Sequence, residues 1–134
     1  MPNHYNLLFF SIIRVVLVVL AIHMVAIWPA KAEGWLPGLE DVPIAPAFAP
    51  DLQSLLLFDH PGGRIVEIHL HSEQAYLGEQ ALGFYHETLV QLGWVTLHTD
   101  HDATFIRGAE QLVIEIIQNQ PQTTLRLKLV PNPS

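Results

Sequence analysis

The segment RIVEIHLH, residues 64–71, decides the fold because its side chains alternate between apolar and polar along the chain. A period of two places successive side chains on opposite faces of a sheet, so one face of this strand is buried and the other meets water. The turn signal at residues 59–63 and the apolar run Leu55–Phe58 before it predict a hairpin. The apolar face carries Val66, Ile68 and Leu70, and the opposite face carries Ile65, Glu67, His69 and His71.

A helix is predicted to follow over Gln74–Leu92, with Ser72 capping its first turn. Gly93 comes directly after the last apolar position and suits a left-handed C-terminal cap. Apolar residues recur at steps of three and four, which gives the helix one apolar stripe for packing against a sheet. This stripe consists of Leu82, Tyr85, Leu89 and Leu92.

Three further stretches have strand character: Trp94–His98, Thr104–Gln118 with a break at Gly108–Glu110, and Thr123–Val130. The short links between them favour antiparallel neighbours. The resulting order, β-β-α-β-β-β, predicts an α+β fold with a single antiparallel sheet and one helix packed on one face. We expect this small domain to cover residues 52–131.

Residues 33–51 contain four prolines and two glycines among scattered apolar residues. Proline fixes φ and removes a backbone donor, so this composition predicts an extended, proline-rich linker. We expect a partly ordered arm that holds the domain away from a membrane.

Residues 1–32 are predicted to be a signal peptide or a membrane anchor helix. Leu7–Trp28 is apolar apart from three polar residues, and a membrane span needs about 20 apolar residues. Ala30 and Ala32 supply the small side chains of a cleavage site after residue 32. The alternative, a retained anchor, has to accommodate Arg14 within the span. Both alternatives predict export, either to the periplasm or to the inner membrane with the C-terminal domain in the periplasm.

The chain beyond residue 32 is acidic, with four Lys and Arg residues against thirteen Asp and Glu residues and a formal charge of −9. This charge argues against nucleic acid and anionic lipid headgroups as partners. The chain has no cysteine, which excludes a thiolate nucleophile and thiolate metal ligands. We expect contact with the membrane through the N-terminal segment, and an envelope protein or a small ligand as partner.

Several short motifs in the domain carry a resemblance to known proteins. They are PGGRIVE at residues 61–67, Phe84-Tyr85, Leu92-Gly93-Trp94 and Phe105-Ile106-Arg107. Across residues 55–130 the chain resembles small uncharacterised exported proteins of alphaproteobacteria. The resemblance implies a location in the cell envelope and supplies no catalytic residues.

Glu67, His69 and His71 are candidate metal ligands, because alternation places all three on one face of a strand. Imidazole and carboxylate groups are ligands for zinc and copper, and His101 is a candidate further ligand if the strands lie close. The alternative is that these side chains form the solvated face of the sheet, paired with charged residues of neighbouring strands. The residues available for such pairs are Glu115, Arg126 and Lys128.

The sequence contains no recognisable catalytic constellation. His86 lies beside Glu87, but no Ser or Thr nucleophile stands in a context typical of a hydrolase. The leading hypothesis is therefore a non-catalytic envelope protein, with no cofactor, that binds a protein or a small ligand. The second hypothesis is a periplasmic metal-binding module that uses the strand histidines to hold zinc or copper.

Overall fold

The computed structural model describes residues 34–99 and 101–132. Its architecture is α+β, with one helix against a six-stranded antiparallel sheet and a separate two-stranded hairpin. The elements are β1 (Trp35–Leu36), β2 (Leu39–Pro43), β3 (Ala49–His60), β4 (Gly63–Ser72), α1 (Gly78–Gln91), β5 (Val95–Thr99), β6 (Asp102–Arg107), β7 (Glu110–Gln118) and β8 (Thr123–Pro131). The strand order in the larger sheet is β3-β4-β8-β7-β6-β5.

The predicted signal or anchor helix, residues 1–32, lies outside the described residues. Within residues 34–99 and 101–132, no helix combines the length and the apolar character that a bilayer crossing requires.

The α+β prediction is confirmed, but the predicted order of elements misses one strand of the large sheet. The break at Gly108–Glu110 is a tight turn, in which Arg107 pairs with Glu110 across Gly108, a residue with a φ of 57°. Four strands therefore follow the helix, not three. The last of them, β8, lies between β4 and β7, so the C-terminal strand occupies the middle of the sheet.

The segment 33–51, which was expected to be a linker, contributes two strands and the start of a third. Leu36, Leu39 and Val42 are completely buried and belong to the main core. The prolines fit this structure because they fall at a turn, at the end of β2 and on the edge strand β3, where a missing N–H is tolerated. The prediction that the folded domain begins near residue 52 is thus wrong.

The helix begins at Gly78, and Ser72 does not cap it. The amide of Leu77 donates to Thr123 Oγ1 at 3.1 Å, and that of Gly78 donates to Asn119 Oδ1 at 3.1 Å. Both acceptors lie more than forty positions later in the sequence, so local sequence rules could not identify this cap. Gly93 takes the expected positive φ of 88° after the helix.

Helix α1 and the β1–β2 hairpin together cover one face of the six-stranded sheet. The helix buries Ala81, Leu82, Tyr85 and Leu89, whereas Leu92, predicted as part of the stripe, is 38% exposed. The helix meets the connection between β2 and β3 where the buried Tyr85 hydroxyl accepts a hydrogen bond from the Ala45 amide at 3.3 Å. Burial raises the pKa of the Tyr85 phenol, which therefore stays neutral at physiological pH.

Leu39→Ala tests whether the β1–β2 hairpin is part of the core. Leu39 is fully buried, so truncation should lower the free energy of unfolding by about 2–5 kcal/mol. Lys128→Ala, at an exposed position of β8, is the control and should change it by less than about 0.5 kcal/mol. Chemical denaturation of both variants measures these values, and equal losses would contradict the placement of the hairpin in the core.

Candidate functional site

The face of the six-stranded sheet opposite helix α1 is called here the uncovered face. On β4 it carries Glu67, His69 and His71, and none of these side chains is buried. The alternating residues Val66, Ile68 and Leu70 point the other way and are completely buried. The predicted division of β4 into an apolar and a polar face is therefore confirmed.

One row of the uncovered face crosses five strands and is charged or titratable throughout. Register places Asp51 opposite His69, His69 opposite Arg126, and Arg126 opposite Glu115, which pairs with Asp102. Arg126 Nε donates to Glu115 Oε2 at 2.6 Å. We call this set the charged row: Asp51, His69, Arg126, Glu115 and Asp102. Within the row, Arg126 and Glu115 form a cross-strand ion pair.

The two predicted histidines lie side by side, each next to a carboxylate. His69 Nε2 is 3.8 Å from Glu67 Oε1, and His71 Nε2 is 3.6 Å from Asp51 Oδ2. The two rings are 6.4 Å apart between centroids and nearly perpendicular. His71 Nδ1 is 2.9 Å from Thr124 Oγ1, which fixes the orientation of its ring.

Asp51 is the site residue that sequence reasoning missed. It lies in the segment assigned to the linker, and only the pairing of β3 with β4 brings it beside the histidines. A bulge follows it in β3, where Ser54 Oγ donates to the Asp51 carbonyl and accepts the His69 amide at 2.8 Å. No sequence signal specifies this register.

The structure does not bring His101 to the other candidate ligands. Its neighbour Asp102 lies three strands away from His69 along the charged row, about 14 Å at normal strand spacing. The His101 side chain is 98% exposed and lies 3.8 Å from Glu79 of the helix. Among the residues that the structure describes, no group of three or more His, Asp or Glu side chains is arranged to hold a metal ion.

A compact ion cluster fastens the β1–β2 hairpin to the end of the sheet. Arg107 forms an ion pair with Asp41 of β2, and Arg64 Nε donates to Glu110 Oε1 at 2.9 Å. Arg64 also lies 3.7 Å from Asp41, and the Arg107 guanidinium stacks 4.3 Å from the centre of the Trp94 ring. Two cations and two carboxylates neutralise one another, which favours a structural role over acid–base chemistry.

Beside this cluster lies a shallow cleft of about 340 Å³ between the β1–β2 turn and the β3–β4 hairpin. Leu57, Phe58 and Ile65 form its apolar wall. Its polar lining comes from Glu40, Asp59 and Arg64. The cleft contains no nucleophile paired with a base, so its chemistry is that of a contact surface.

An apolar row crosses the uncovered face next to the ion cluster. Phe58 and Val95, on the two edge strands, are 58% and 62% exposed. Between them lie half-buried side chains from the four inner strands. The register pairs Phe58 with Ile65, and it joins Val130 through Gln111 and Ile106 to Val95. We call this set the apolar row: Phe58, Ile65, Val130, Gln111, Ile106 and Val95. Apart from Gln111 its members are apolar, and apolar side chains that lie together at a surface are typical of interaction sites.

Comparisons with protein-family models, curated proteins and solved structures found no match to this chain.

The pH dependence of the stability of the Asp41→Asn variant tests the contribution of the ion cluster to folding. Partial burial alone raises the pKa of Asp41, but the hydrogen bond and charge of Arg107, with the charge of Arg64, lower it overall. A carboxylate with a lowered folded pKa stabilises the fold above its ordinary pKa of 3.8, and that stabilisation disappears as pH falls through the folded value. The variant should therefore be less stable than the native chain at pH 7, and the gap should close in acid.

Denaturant unfolding between pH 7 and pH 2 measures this gap. Glu87→Gln, at an exposed carboxylate of α1, is the control and should differ little from the native chain at any pH. A gap for Asp41→Asn that stays constant down to the most acidic point would contradict the proposed role of the ion pair.

Proposed function

We propose that this chain is a non-catalytic interaction domain of the cell envelope that binds a protein partner through the uncovered face of its sheet. The apolar row is the observation that carries the proposal. A monomeric domain gains nothing by leaving Phe58 and Val95 more than half exposed at the ends of such a row. Contact with a partner would remove this apolar surface from water, which is the main favourable term in protein association.

The chemistry of the uncovered face indicates the kind of partner. The apolar row provides the centre of a contact, and the next row on the same face contributes Glu67 and Lys128 to a polar border. The chain beyond residue 32 has a formal charge of −9, so a partner with a basic surface is attracted and an acidic one is repelled. A small ligand is the less favoured occupant, because the cleft beside Phe58 is shallow and open.

The predicted export signal is consistent with the same assignment. The apolar segment Leu7–Trp28 and the small residues at Ala30 and Ala32 are typical of a signal peptide or anchor. An exported domain without cysteines depends on its hydrophobic core for stability. In this proposal the N-terminal segment contacts the inner membrane, and the acidic domain works in the periplasm.

Site-specific photocrosslinking of the full chain in its native host tests the proposal. A photoreactive residue at Val95, on the uncovered face, should give a discrete adduct with another envelope protein. Val90 is a matched control, because it is an exposed valine on the outer side of α1. Equal adducts from both positions, or none from Val95 in the envelope fraction, would contradict the proposal.

A metal-binding module is the second candidate, and Asp51 is the observation that favours it. Its carboxylate lies beside His71, so β3 supplies the ligand from a neighbouring strand that Glu67, His69 and His71 lack on their own. Small side-chain rotations would be needed to converge these groups on zinc or copper. Zinc holds N and O ligands at about 2.0–2.2 Å, so two ligands of one tetrahedral ion lie about 3.4 Å apart, close to the 3.8 and 3.6 Å separations within the two His–carboxylate pairs.

Calorimetric titration of the full chain with zinc and with copper tests this candidate. Micromolar or tighter binding should disappear in the double variant His69→Ala/His71→Ala and weaken in Asp51→Asn. His101→Ala is the control and should bind normally, because His101 lies apart from the other ligands. Flat heats for the native chain would exclude the metal-binding module.

A further inference from the structure

Strand β3 has one partner and one free edge. It pairs only with β4 among the described residues, and it is the terminal strand of the six-stranded sheet. The portion Leu56–His60 pairs residue for residue with Gly63–Glu67, so it is regular extended backbone. In such a pair every second residue turns its N–H and C=O away from the neighbouring strand. An edge of this kind is a template for a further strand.

The position of the turn determines which residues of β3 direct their backbone N–H and C=O groups towards the free edge. His60 and Gly63 close a two-residue turn, which makes them a hydrogen-bonded pair. Hydrogen-bonded and non-hydrogen-bonded pairs alternate along the ladder. The backbone N–H and C=O of Phe58 therefore point towards β4, and those of Leu57 and Asp59 point towards the free edge.

The free edge is unusually apolar for an unprotected strand. Leu56, Leu57 and Phe58 are consecutive and are 48%, 57% and 58% exposed. Edges that must stay unpaired normally carry charges or proline in this position. The opposite edge, β5, has only five residues and an irregular register, so β3 is the better template.

We propose that a second copy of this chain pairs with the free edge of β3, antiparallel and centred on Leu57, so that two sheets join into one. In this register Leu57 of one copy lies opposite Leu57 of the other. Leu56 lies opposite the partner's Phe58 on the uncovered face, and the same contact repeats by two-fold symmetry. Both large apolar pairs then lose contact with water.

Charge and side-chain type select this register over its neighbours. Centring the pair on Leu55 would set Asp51 against the partner's Asp59, and centring it on Asp59 would set the two Asp59 side chains together. Like charges directly opposite each other are destabilising. A centre at Leu56 would place Phe58 against Ser54, and a centre at Phe58 would place Leu56 against His60. Among these registers, only the Leu57 centre pairs Leu56, Leu57 and Phe58 exclusively with one another, and it sets Leu55 against the partner's Asp59 without opposing two like charges.

A second copy suits this edge better than a basic peptide does. The four residues Leu55–Phe58 carry no charge, so a basic strand would find no ion-pair partners between Asp51 and Asp59. Leu57 also lines the cleft of about 340 Å³ beside the edge, which leaves room on the covered side for the partner's Leu57. The domains are acidic, so salt should strengthen the dimer by screening their repulsion.

Cysteine crosslinking of the full chain in membranes tests the proposal directly, because the native chain has no cysteine. Opposed residues of a hydrogen-bonded antiparallel pair have Cα atoms about 5.5 Å apart, within the range for a disulfide. Under mild oxidation Leu57→Cys should form a disulfide-linked dimer on a non-reducing gel. Leu55→Cys and Asp59→Cys should give roughly fivefold less, because each copy is offset by four residues, about 13 Å.

Leu97→Cys is the matched control on the opposite edge strand, β5, because it lies outside the apolar row and is 58% exposed against 57% for Leu57. It shares the same N-terminal segment, so a dimer held by that segment alone would crosslink both positions to a similar extent and contradict the proposal. Absence of a Leu57→Cys dimer, or equal yields along β3, would also overturn it. These readouts do not depend on the envelope partner, so either proposal can fail without the other.

Discussion

The structure depends on the burial of one face of the six-stranded sheet beneath two short elements, helix α1 and the β1–β2 hairpin. A single helix of 14 residues is too narrow for six strands. The β1–β2 hairpin covers the remainder, and the Tyr85 hydroxyl of the helix accepts a hydrogen bond from the amide of Ala45, just after β2. This division of the cover explains why so much of the segment before residue 50 is buried, and why Arg107 and Asp41 pair across the boundary between hairpin and sheet.

Most of the fold could be predicted from periodicity, because periodicity reports directly on burial. The alternation of β4 and the stripe through Leu82, Tyr85 and Leu89 both match the observed faces. The errors fell where tertiary contacts override local signals. Proline in residues 33–51 indicated a linker, but β2 is held by burial of Leu39 and Val42, which depends on a sheet distant in sequence. The cap from Asn119 and Thr123 is non-local in the same way.

The candidate site could be predicted only along single strands. Alternation correctly placed Glu67, His69 and His71 on one face, because that inference needs no knowledge of neighbouring strands. It could not reveal Asp51, which depends on the register of β3, or the distance to His101, which depends on strand order. The apolar row is likewise a property of six strands in register. Surfaces assembled from several strands of a sheet are therefore the features that are hardest to predict from a single sequence.

The central position of β8 governs when this chain can acquire its structure. Without residues 123–131, strands β3 and β4 have no connection to β5, β6 and β7, and the first turn of α1 lacks its acceptors. The sheet closes only after residues 123–131 have left the ribosome. Any machinery that handles the nascent chain before that point consequently meets it without its closed sheet.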